Sequence, residues 1–64
     1  MKNEVHQVLN TMDVYGGGFV KQLVVLMRHA DADNARRLLQ AFPELFAQYD
    51  EMTSLVTGRK VEGV

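Results

Sequence analysis

A chain of 64 residues that contains no cysteine lacks both sulfur staples, the disulfide and the thiolate-bound metal, on which domains near this size commonly rely. At about 60 residues a single core buries only about 60% of the surface that the unfolded chain exposes, so stability is expected to be slight. Two routes remain: efficient packing of helices within one small domain, or self-association.

The apolar spacing selects helices. Val5, Val8, Leu9 and Met12 recur at i, i+3, i+4 and i+7, the period of one helical face, and Asn3 is placed to cap that first helix. Gly16, Gly17 and Gly18 end it, because glycine inside a helix costs about 1 kcal/mol relative to alanine. The glycines are expected to supply positive φ at a sharp joint, with Tyr15 and Phe19 packed on either side. A second helix follows from about Gly18 to Ala30. In "HADADN" either Asp31 or Asp33 can cap a third, whose inner face is Ala35, Leu38, Leu39 and Phe42. Pro43 disfavours helix at Phe42 yet suits the first position of a new one, so a fourth helix starts there. Leu45, Tyr49, Met52 and Val56 stripe it to about Thr57, with Gly58 at its C-cap.

No segment combines strand-like alternation with turn chemistry. The expected fold is all-α, a compact bundle of about four short helices, with residues 1–58 as a single domain and 59–64 as a flexible tail. The expected core is Val8, Leu9, Phe19, Leu23, Leu26, Met27, Leu38, Leu39, Phe42, Leu45, Tyr49 and Met52.

Helix two carries the strongest indication of a partner. Wound at 100° per residue, it gathers Lys21, Gln22, Arg28 and His29 into one sector around Val25 and leaves the rest of the cylinder apolar. A surface helix needs an apolar stripe only somewhat over 100° wide, so this one is packed on more than one side. A homodimer that shares this helix is expected. The residues expected to touch a partner are Lys21, Val25, Arg28 and His29, then Arg36 and Arg37.

Other chemistries fit poorly. A phosphate loop requires a preceding strand and, in its ATPase form, GK[ST]; here Phe19 follows the last glycine. His29, Asp31 and Asp33 lack the spacing of a calcium loop, and no nucleophile or acidic pair stands in an identifiable relation to His6 or His29. No enzyme activity, metal or cofactor is expected. The alternative reading is a helix-turn-helix in which Asn34, Arg36, Arg37 and Gln40 of helix three read bases. Against it stand Asp31 and Asp33 at the entering end and a formal net charge of −1. "LVVLM", Leu23 to Met27, is the longest apolar run and is far short of the roughly 20 residues that span a bilayer. Met1 to Glu4 is polar and no apolar leader segment follows it, so a cytoplasmic protein is expected.

"YGGGFV" at 15–20, "ADADN" at 30–34 and "AFPELFAQY" at 41–49 resemble, in order and spacing, a group of small proteins encoded by bacteriophages and prophages of Gram-negative bacteria. The likeness covers Tyr15 to Tyr49, though that group more often carries serine at the position of Gly18 and tryptophan at that of Phe46. These motifs are a glycine joint and helix caps, so the resemblance transfers no activity to any residue. It implies a bacterial cytoplasm as the setting and binding, to a host or phage protein or to nucleic acid, as the mode of action.

Overall fold

The computed structural model describes residues 1–62, with side chains to Val56. Four helices follow one another: α1 (Val5–Tyr15), α2 (Gly18–His29), α3 (Ala32–Ala41) and α4 (Pro43–Glu62). No strand occurs among the described residues.

Each junction has a local cause. At the end of α1, Gly16 turns extended at φ −80° and its N–H donates to the Met12 carbonyl at 2.8 Å. None of the described glycines has positive φ, which corrects the expectation from sequence. What position 16 requires is closeness. A Cβ there would lie 2.4 Å from Val20 Cγ1 and 2.5 Å from the Met12 carbonyl oxygen, whereas Gly17 and Gly18 face open space. The second joint is capped by Asp31, whose carboxylate accepts from the backbone N–H of Asn34 at 2.8 Å. At the third, Phe42 leaves helical geometry at φ −128°, ψ 57° and Pro43 opens α4. Asn3 does not cap α1: Glu4 stands at that position without a side-chain cap bond.

α4 continues past Gly58 to Glu62, beyond the end expected near Thr57. The flexibility expected of 59–64 falls partly on Gly63 and Val64, which lie outside the described residues.

The core comes from three helices: Val8, Leu9 and Met12 of α1, Val20, Leu23, Val24 and Met27 of α2, and Phe46 and Tyr49 of α4. α3 contributes no fully buried residue, and Ala35, Leu38, Leu39 and Phe42 pack half-buried at its margin together with Leu45 and Met52. Two expected core residues are outside: Phe19 is 65% exposed and Leu26 53%. Tyr15, expected to pack at the joint, is also exposed. The reason is rotational. Val20, Leu23, Val24 and Met27 form the i, i+3, i+4, i+7 stripe, and the contact at Gly16 draws Val20, hence that stripe, inward.

Buried polar groups are paired. Thr11 of α1 and Thr53 of α4 place their hydroxyl oxygens 2.8 Å apart, with the Gln7 and Tyr49 carbonyls at 3.1 and 2.7 Å as further acceptors. The N-terminal segment is clasped to α4 at Asp50, which is 5% exposed. Its carboxylate accepts from the backbone N–H of Lys2 at 2.8 Å and from the backbone and side-chain N–H groups of Asn3 at 3.0 and 2.9 Å. Asn3 Nδ2 also donates to the Asp50 carbonyl and to Ser54 Oγ. The Lys2 backbone N–H is the main cause that holds the Asp50 carboxyl below its ordinary pKa. Lys2 also pairs with Glu51, which raises the ammonium's pKa.

Candidate functional site

The residues expected to bind a partner separate into three places. Lys21 and Val25 lie along the seam between α1 and α2, where the Lys21 ammonium donates to the Asp13 carbonyl and Val25 is 48% exposed. Arg28 bridges the same seam through Nη2, 3.0 Å from Asn10 Oδ1. Beyond it, Arg28 enters a groove with Arg36 and His6. His29 and Arg37 lie on the opposite side of the α2–α3 corner, in a cleft with Leu26, Asn34 and Leu38. The six do not form one surface.

His29 is held by its own helix. Its Nδ1 lies 2.8 Å from the Val25 carbonyl oxygen, which only accepts, so Nδ1 carries the hydrogen. Asp33 faces both arginines of α3, with Arg36 Nη1 at 3.6 Å and Arg37 Nη2 at 3.4 Å. All three side chains are more than 60% exposed, which places these pairs in the weak class of about 0–1 kcal/mol. Asp33 offsets part of the charge that a nucleic acid would meet on this face. Asn34 and Arg37 border the cleft beside Leu26 and Arg36 borders the groove beside His6, with Asp33 between the two arginines. Asp31 is engaged as a cap and Asp33 with arginine, and no three metal-ligating side chains come together among the described residues.

The apolar surface that sequence assigned to the core is the more prominent feature. Phe19 and Phe42 meet edge to face, their centroids 5.9 Å apart at 69°, although Phe19 remains mostly in solvent. With Gln22, Leu23 and Leu26 they line a cleft of about 190 Å³. Leu26 continues this surface into the second cleft, about 350 Å³, beside Leu38 and the rim formed by His29, Asn34 and Arg37. The result is one apolar strip along α2 and α3 with a polar border. The wide apolar circumference of α2 was readable as a sequence signal; which of its two faces would stay outside was not.

Among the described residues, no helix is long and apolar enough to cross a membrane. No protein-family model, curated protein or solved structure matches the chain.

Proposed function

We propose that this protein is a small protein-interaction module whose contact surface is the α2–α3 strip, occupied in the free protein by the same strip of a second copy. The observation that carries this reading is the exposure of Phe19 and Leu26 on a helix whose other face is already buried, next to half-buried Phe42 and Leu38. A contiguous apolar patch with a polar rim is the usual anatomy of a protein contact, and aromatic anchors are enriched at its centre. Self-association also answers the shortage of core in so short a chain. The resemblance to phage and prophage proteins supplies the setting, an accessory protein in the bacterial cytoplasm that inhibits or adapts a host protein.

Capture from bacterial lysate with the tagged protein, with and without nuclease, tests the interaction. The reading predicts a stoichiometric protein partner retained after nuclease and lost with the Phe19→Asp, Leu26→Asp variant. Partners released by nuclease, with retention sensitive to Arg36→Ala and Arg37→Ala, would replace it by nucleic-acid binding through α3.

A further inference from the structure

A different groove, about 530 Å³, lies on the other side of α2, between the first half of α1, the end of α2 and α3. Its floor is apolar, with Leu9 and Met27 buried and Val5 and Leu39 half-buried. His6, Arg28 and Arg36 stand around it. We propose that this groove binds a free single-chain anionic amphiphile, a carboxylate or phosphate on one hydrocarbon chain, with the chain on the floor and the headgroup between Arg28 and Arg36.

Volume and lining both suit such a ligand. Small-molecule sites commonly span about 300–1,000 Å³ and combine a mainly apolar wall with a few placed polar groups. Ala30, Ala32 and Ala35 supply the remaining wall and leave room for a chain. Charge gives the sign of the headgroup. The whole chain carries a formal charge of −1, yet none of the acidic residues whose side chains the structure describes lines this groove. Arg28 gives one N–H to Asn10, and Asp33 stands 3.6 Å from Arg36, outside hydrogen-bond range, so both guanidiniums keep donors for a forked contact with an oxyanion. The source is a free amphiphile because the apolar part is recessed between three helices. A face that enters a bilayer presents protruding apolar side chains beside its cations, and those of α2, Phe19 and Leu26, lie on the opposite side. The site stands whether or not the Phe19–Leu26 strip self-associates.

Titration of the full chain with decanoate, followed in ¹H–¹⁵N NMR spectra, tests it. Saturable shifts centred on Val5, Leu9, Met27 and Ala35 are expected below millimolar decanoate, with decanol at least tenfold weaker. Arg28→Gln combined with Arg36→Gln should weaken decanoate at least tenfold, and Ala32→Leu, which retains both cations and fills the groove, should weaken it as well. The same spectra verify that these surface variants are folded. Absence of saturable shifts, unchanged affinity in the charge variant, a response centred on Leu26 and Leu38, or binding to phosphatidylglycerol vesicles without binding to decanoate would each overturn the proposal.

Discussion

Substitution of Gly16 by alanine is expected to destabilise the domain by about 2–3 kcal/mol, the upper part of the range for overpacking a close-fitted site. The added Cβ would lie 2.4 Å from Val20 Cγ1, 2.6 Å from Val20 Cβ and 2.5 Å from the Met12 carbonyl oxygen. Rotating the Val20 side chain relieves the first contact alone. The contact with Val20 Cβ requires α2 to move away from the end of α1, and the contact with the Met12 oxygen, within the last turn of α1, requires the backbone at position 16 to turn, which weakens the 2.8 Å bond from the Gly16 N–H to the Met12 carbonyl. For a domain of this length 1 kcal/mol corresponds to about 4–8 °C in Tm, so a fall of about 8–24 °C is predicted in a thermal melt followed by circular dichroism. Gly18→Ala is the internal control. It faces open space without positive φ and should gain about 0.4–1 kcal/mol by restricting the unfolded chain. Equal melting of Gly16→Ala and wild type would refute the close approach of the first two helices.

Phe46, 2% exposed, anchors α4 in the core, and Phe46→Ala should cost about 3–5 kcal/mol and abolish a cooperative urea transition. Thr53→Val should cost about 1–2 kcal/mol because it strands part of a buried hydroxyl pair, while Thr11→Val with Thr53→Val should cost less than the two single changes added, as a double-mutant cycle in urea would show. Removing the cap with Asp31→Ala should cost about 0.5–2 kcal/mol by the same assay. The Asp50 clasp gives a pH signature. Its carboxyl pKa is lowered in the folded state, so its contribution is complete above the unfolded value of 3.8 and is lost as pH falls through the lower folded value. The urea midpoint should therefore fall on acidification below about pH 4 in wild type and less steeply in Asp50→Asn; identical slopes would contradict the assignment.

The helices, their order and the start of α4 at Pro43 were legible because each depends on a few neighbouring residues, as was a cap at Asp31 or Asp33, of which the structure uses Asp31. What sequence could not supply was the rotation of α2. From Leu23 to Met27 every residue is apolar, so local pattern alone does not say that Val24 faces inward and Leu26 outward. The missed Val20 and Val24, and the exposed Phe19 and Leu26, all follow from that one undetermined angle. Asn3 reads as a helix cap by composition, but a partner 47 residues away takes its side chain, and no local signal announces such a contact. The same holds for the groove that joins His6 of α1 to Arg36 of α3. For the expected partner residues, type and helix were readable, whereas their division among three places depends on tertiary packing.

Sedimentation equilibrium of the wild type beside Leu26→Asp, from micromolar to submillimolar concentration, tests the central claim that the α2–α3 strip is a contact surface. The account predicts a wild-type mass that rises toward twice the 7.2 kDa of one chain, and a variant that remains at 7.2 kDa while retaining its helical spectrum. A wild type that stays at one chain's mass throughout, or a variant that associates as strongly as wild type, would contradict it.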